Sequence, residues 1–152
     1  MQVTFPELTD LRLSSYYETP PAIPDSFLGG SAPRLRTLRF YDVPFPELPK
    51  LLLLATHLVE LGLYKIPHSG YMSPEAMATC FSVLSSLKSL YLAFESPHSH
   101  PDWESRSLPP QKRSILPALR EFQFQGVLKY LEELVILIGA PQLDQMRIDL
   151  FN

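Results

Sequence analysis

A short apolar pattern, L-x-x-L-x-L, recurs six times along the chain. The copies are Leu8, Leu11, Leu13; Leu35, Leu38, Phe40; Leu58, Leu61, Leu63; Leu87, Leu90, Leu92; Leu119, Phe122, Phe124; and Leu143, Met146, Ile148. Successive first positions are 27, 23, 29, 32 and 24 residues apart. Such a period constrains the fold more than composition does, because a unit this small cannot bury its own apolar face and must stack on its neighbours.

The last two apolar residues of each copy are two apart, so both face one side of an extended strand and the residues between them face the other. Each copy therefore predicts one short strand. Ser73-Pro74-Glu75 reads as a helix N-cap, a first-turn proline and a first-turn acid. With Ala76, Met77, Cys80, Phe81 and Leu84 at helical spacing, it predicts a helix over about 74–86. Leu128, Leu131, Leu134, Val135 and Ile138 predict a second, with Gly139 placed to end it and Pro141 beyond. A shorter helix is expected around 46–55, and residues 16–31, with Pro20, Pro21 and Pro24, read as irregular.

Strand, helix and parallel strand require a crossover. Stacking such units gives an α/β leucine-rich-repeat solenoid, a horseshoe segment with a parallel sheet on the concave face and helices or loops on the convex face. A single domain, 1–152, of about six irregular repeats is expected. The polar, proline-rich stretch 95–114 reads as a loop insertion that accounts for the 32-residue spacing. Sixteen prolines against six glycines imply short, interrupted elements, since proline removes a backbone donor.

Charge and cysteine usage narrow the setting. A net charge of -3 provides no basic footprint for nucleic acid. Cys80 is the only cysteine and Asn152 the only asparagine, so neither an intrachain disulfide nor an internal glycosylation sequon is possible. No signal-peptide pattern opens the chain, and the run Leu51-Leu52-Leu53-Leu54-Ala55 is far short of the ~20 residues that span a bilayer. An intracellular location, cytoplasm or nucleus, with no membrane partner, is expected.

No catalytic constellation assembles. His98, His100 and Asp102 alternate as metal ligands can, but a proline-broken loop does not pre-organise them. Gly29-Gly30-Ser31 lacks the lysine of a phosphate loop, no G-x-S-x-G elbow occurs, and Cys80 reads as a structural thiol. His57 and His68 read as surface histidines. No enzyme activity, metal or cofactor is expected. The outward strand positions are more informative, because the core does not need them. Arg12, Arg39, Tyr41 and Glu60 lie on this face, as do Tyr64, Tyr91, Gln123 and Arg147. Tyr41 and Tyr64 should be neighbours in one column, with Tyr91 one column over and Arg39 beside them. Tyrosine and arginine dominate many binding interfaces, so this patch is the expected contact for a protein or peptide, against the plainer reading that tyrosine simply suits strands.

The segment Leu116-Pro117-Ala118-Leu119-Arg120-Glu121-Phe122-Gln123-Phe124-Gln125-Gly126-Val127, continuing through Tyr130-Leu131-Glu132-Glu133-Leu134-Val135 to Ala140-Pro141-Gln142-Leu143, resembles fungal F-box leucine-rich-repeat proteins. The lead-ins at Phe5 to Leu8, Ala32 to Leu35 and Ala140 to Leu143 look like the strand starts of that family. The resemblance implies substrate-recognition repeats of a ubiquitin-ligase adaptor, linked to a cullin-RING ligase through an F-box outside this chain. The asparagine that many repeats carry eight residues after the first leucine is replaced by Tyr16, Val43, Ile66, Glu95, Val127 and Phe151, so less uniform turns are expected. Two alternatives stand beside it: the sensor repeats of an immune-type nucleotide-binding protein, and a plain structural scaffold. The chain starts and stops beside strands without polar caps. Exposed apolar edges near Phe5 and Phe151, and an origin as an internal fragment, are therefore expected.

Overall fold

The computed structural model of the protein describes residues 7–14, 34–43, 56–67, 72–95 and 113–151. Six strands form one parallel sheet whose spatial order follows the chain: β1 (Asp10–Ser14), β2 (Thr37–Tyr41), β3 (Glu60–Ile66), β4 (Ser89–Phe94), β6 (Glu121–Gly126) and β8 (Gln145–Leu150). Two short strands, β5 (Ser114–Ile115) and β7 (Ile138–Gly139), pair in a second small parallel sheet. Helix α1 (Pro74–Phe81) lies between β3 and β4, and α2 (Leu128–Leu137) follows β6. Each of the six main strands begins two residues after the first leucine of its repeat.

Parallel pairing brings equivalent residues of all six repeats into register. Leu11, Leu38, Leu61, Leu90, Phe122 and Met146 form one row, and Leu13, Phe40, Leu63, Leu92, Phe124 and Ile148 the next. Leu38, Leu61, Leu90 and Phe122 are completely buried, as are the first leucines Leu35, Leu58, Leu87 and Leu119. Burying each such side chain contributes about 1.5–3 kcal/mol, so these rows form the core of the sheet.

The junctions between repeats are uniform. One residue after each first leucine, a carbonyl accepts two successive amide protons from the next repeat. Thr9 accepts from Arg36 and Thr37, Arg36 from Val59 and Glu60, and Val59 from Lys88 and Ser89. Lys88 then accepts from Arg120 and Glu121, and Arg120 from Asp144 and Gln145. The strand ends lack that uniformity. Glu95 N–H donates to the Ile66 carbonyl and Phe151 N–H to that of Gly126, one position earlier in its repeat.

The helices differ from their sequence readings at the C-terminal ends. α1 starts as expected, with the Ser73 hydroxyl accepting from Ala76 N–H at 3.2 Å and Pro74 in the first turn. It ends at Phe81, five residues before the expected 86. Ser82 N–H is shared between the Ala78 and Thr79 carbonyls, its hydroxyl donates to Thr79, and Leu84 N–H closes a tighter turn on Phe81. Serine competing for backbone partners in this way terminates a helix. Gly139 does not cap α2. The chain passes from Leu137 directly into extended β7, whose Gly139 carbonyl accepts from Leu116 N–H. Its partner strand β5 begins at Ser114, so the end of the stretch read as a loop is paired. Residues 96–112, the helix expected at 46–55, the irregular stretch 16–31 and Phe5 lie outside the described residues.

On β8, Met146, Ile148 and Leu150 remain 41–47% exposed, whereas Phe122 and Phe124 in register with the first two are at most 1% exposed. An apolar edge near Phe151 is thus present, although Phe151 itself packs partly against the core. An aromatic cluster joins sheet and helices. Tyr130 of α2 meets Phe94 at 4.8 Å and Phe124 at 6.1 Å, and its hydroxyl donates to the Met72 carbonyl at 2.8 Å, just before α1. A Cβ on Gly126 would come within 2.8 Å of Phe124 and 3.0 Å of Phe94, so glycine is what lets the rings close. Replacing Tyr130 by Phe keeps the ring and removes the bond to Met72, and it should lower unfolding free energy by about 1 kcal/mol. Urea denaturation measures this, and an unchanged midpoint would contradict the role assigned to the hydroxyl.

Candidate functional site

The sheet face opposite the leucine rows carries the residues singled out from the sequence. One row runs Arg12, Arg39, Gly62, Tyr91, Gln123, Arg147 across all six strands, and Tyr41 and Tyr64 are partners in the neighbouring row. Arg39, Tyr41, Glu60, Tyr64 and Tyr91 come together, with Gln123 beside Tyr91. Arg12 and Arg147 do not join them. They sit on the two edge strands, five inter-strand steps apart, or roughly 24 Å at ~4.8 Å per step.

The Tyr41 and Tyr64 rings stack with centroids 4.7 Å apart and planes 9° apart. Parallel register alone produces this, because it sets like side chains one strand spacing from each other. Tyr64 and Tyr91 stack at 6.0 Å and 22°, although the two belong to different rows. Gly62 explains that contact. A Cβ at Gly62 would lie 2.5 Å from Tyr64 Cε2, so the Tyr64 ring lies over its own strand in the space where a side chain would stand. Gly62 is the register partner of both Arg39 and Tyr91, and the ring that covers it therefore fills the gap between them.

Just beyond Tyr64 the strand kinks. Leu63 pairs with Leu92, but Ile66 pairs with Phe94, so β3 carries one residue more than β4 in this interval. Lys65 takes the strain with φ of 51°, a left-handed conformation that costs a residue with a Cβ about 1–2 kcal/mol. Asp42, at the end of β2 with φ of 56°, donates its N–H to the Tyr64 carbonyl at 2.9 Å. The bulge and this bond hold the Tyr64 backbone where the two stacks meet.

Electrostatically the face is almost paired. Arg39 donates to Glu60 diagonally across β2 and β3 in a half-buried ion pair, and that bond, more than any other influence, holds the guanidinium above its ordinary value. Arg12 lies 3.7 Å from Asp10 and Arg147 3.4 Å from Asp149 within their own strands; these exposed pairs contribute little. Glu121 is the remaining carboxylate on the described face. It accepts a hydrogen bond from the Gln123 side-chain amide at 3.4 Å and has no cationic partner among the described residues. Burial pushes the Tyr91 phenol up, and neighbouring Glu121 adds to that.

Gly62 and Glu121 shape this face and were not singled out by sequence reasoning. The signal for Gly62 was a glycine at an outward strand position two residues before a tyrosine. Glu121 stood out only once each arginine of the face had been matched to a carboxylate. Cys80 lies buried on the core side of α1, where burial pushes its thiol up to about 11. His57 is exposed, and His68, His98, His100, Asp102 and Gly29-Gly30-Ser31 lie outside the described residues. Among the described residues there is no group of three or more potential metal ligands, and no helix is long and apolar enough to cross a membrane. No protein-family model, no curated protein and no solved structure matches the chain.

Burial, reinforced by Tyr41, pushes the Tyr64 phenol from 10.0 up to about 12. Because the fold raises this value, the stability it contributes is whole below pH 10 and is lost as pH rises toward about 12. Cys80 adds a parallel loss between 9.0 and about 11. Spectrophotometric titration of the phenols should show a component ionising close to pH 12, and Tyr64→Phe should reduce its amplitude. Seven phenols titrating together near 10 would contradict the buried stack.

Proposed function

We propose that this chain is a leucine-rich-repeat solenoid segment that acts as a non-catalytic binding module, docking a protein or peptide on the outer face of its sheet. The repeat spacing, the strand order and the identical junctions at every repeat support the solenoid reading. The tyrosine stack on Gly62 carries the binding reading. Three large rings occupy one side of a sheet whose leucine rows already form the core, so they are not needed to bury it. Stacked against each other and propped by the Arg39–Glu60 pair, they lose little further freedom when a partner covers them, which favours binding energy concentrated at these residues.

The charge pattern adds the chemistry of the partner. With Arg12, Arg39 and Arg147 each matched to a carboxylate, Glu121 beside Tyr91 invites a lysine or arginine. Such a cation would gain both an ion pair and contact with the Tyr91 ring. Together with the resemblance to F-box adaptors, this makes the partner a substrate segment bearing a basic side chain, presented to a ubiquitin ligase. The sensor-repeat alternative would use the same face but lacks that likeness.

Peptides selected on the protein from a random displayed library provide the test. They should carry a basic residue, and Tyr41→Ala, Tyr64→Ala and Tyr91→Ala combined should weaken them by about 30-fold or more, the effect of losing at least one dominant contact of ~2 kcal/mol or more. Gly62→Ala, which displaces the Tyr64 ring without removing it, and Glu121→Gln should each weaken them by a smaller factor. Affinity unchanged by the triple substitution would reject the face as the docking site, whereas selected peptides without basic residues would reject only the role of Glu121.

A further inference from the structure

A groove of about 930 Å³ lies at the strand-start edge of the sheet and is lined by residues other than those of the tyrosine cluster. The first leucines explain its shape. Leu35, Leu58 and Leu87 point into the core and are completely buried, so the residues immediately before and after them project outward and line the two walls. On these walls stand Arg34, Arg36, His57 and Lys88, with the Ser85 and Ser86 hydroxyls.

The balance of donors and acceptors in the groove is one-sided. The carbonyls of Thr9, Arg36, Val59 and Lys88, which lie along it, are each engaged by two amide protons of the next repeat. The side chains add donors. Arg34 is held by Glu7 at 2.9 Å, while Arg36 and Lys88 have no ion-pair partner among the described residues. In a chain with 16 Asp and Glu against 13 Lys and Arg, Arg34, Arg36 and Lys88 in one groove are a local reversal of charge. The repeat geometry also sets their spacing. Arg36 and Lys88 occupy equivalent positions two strands apart, roughly 10 Å at the backbone, and the strand between them presents the short apolar Val59 there. Both long side chains can therefore reach over Val59 toward one anion, with His57 on the opposite wall.

We propose that this groove is a binding site for a phosphate group, held by Arg36 and Lys88 and bordered by His57 and Ser86. A doubly charged oxyanion matches the combination of converging cations and hydroxyl donors, because charge-assisted hydrogen bonds from arginine and lysine to phosphate are among the stronger polar contacts. The groove is larger than a single phosphate, so it accepts either a free phosphate ester or a phosphorylated side chain carried on a peptide. This site is independent of the tyrosine face.

NMR titration of the protein with inorganic phosphate tests the proposal. Saturable shifts confined to the amides of Arg36, His57, Val59 and Lys88 are expected. Arg36→Gln or Lys88→Gln should each weaken binding about tenfold, the loss of one charge-assisted hydrogen bond, while Arg36→Lys and Lys88→Arg should retain it and Lys129→Gln, exposed on α2, should leave it unchanged. A phosphoserine peptide binding more tightly than both inorganic phosphate and its unphosphorylated form would identify a phosphorylated chain as the source. Equal affinity of the phosphopeptide and inorganic phosphate would identify a free ester. Shifts reproduced by chloride at matched ionic strength, or surviving the double Gln variant, would overturn the site.

Discussion

The carbonyl that follows each first leucine accepts two amide protons from the next repeat, and this one bond pair organises the sheet. It is made at five successive junctions, at donor–acceptor distances of 2.7–3.1 Å. It fixes the depth at which each strand starts relative to its neighbour. In a parallel sheet with a side-chain period of two, a slip of one residue would turn each leucine to the outer face. The buried leucine beside each junction resists that slip. Hydrogen bond and apolar burial therefore select the same register, and consistency between levels of this kind is what makes a fold specific.

The properties of the other two surfaces follow from that register. On the outer face, equivalent positions align across strands, so tyrosines from different repeats stack without any dedicated turn or disulfide. Arg39 reaches the carboxylate of the next strand by the same regularity. At the strand-start edge, residues flanking the leucines line a groove, and Arg36 and Lys88 stand at the same repeat position two strands apart. Deviation from regularity is concentrated beside the tyrosines, where β3 bulges and Lys65 adopts a left-handed backbone. Strain of this kind persists only where the surroundings over-determine it, and here the Asp42 bond to the Tyr64 carbonyl is one such constraint.

Much of this was legible in the amino-acid order. The period-two apolar residues located all six main strands, because burial on one face leaves that signature directly. The adjacency of Tyr41 and Tyr64 followed from equal offsets within their repeats. What escaped depended on contacts distant in sequence or on the absence of a side chain. The Tyr64–Tyr91 contact exists because Gly62 leaves room for a ring, which no count of offsets reveals. Gly139 looked like a helix cap by position, but Ser114 and Ile115 paired with its strand and drew the backbone into an extended form. α1 ended early because Ser82 captured the last carbonyls, a local competition that apolar spacing cannot register. The groove flanking the leucines was hidden because its walls come from separate repeats.

One register, repeated at every junction, aligns the six strands in chain order. Inter-strand nuclear Overhauser effects between backbone protons around Leu11, Leu38, Leu61, Leu90, Phe122 and Met146 test it most directly. The structure predicts contacts linking each residue's strand to the next at the parallel spacing, with slow amide exchange at Thr37, Glu60, Ser89, Glu121 and Gln145, the donors at the junctions. Short contacts between α-protons of neighbouring strands, which mark antiparallel pairing, or contacts that skip a strand, would contradict it.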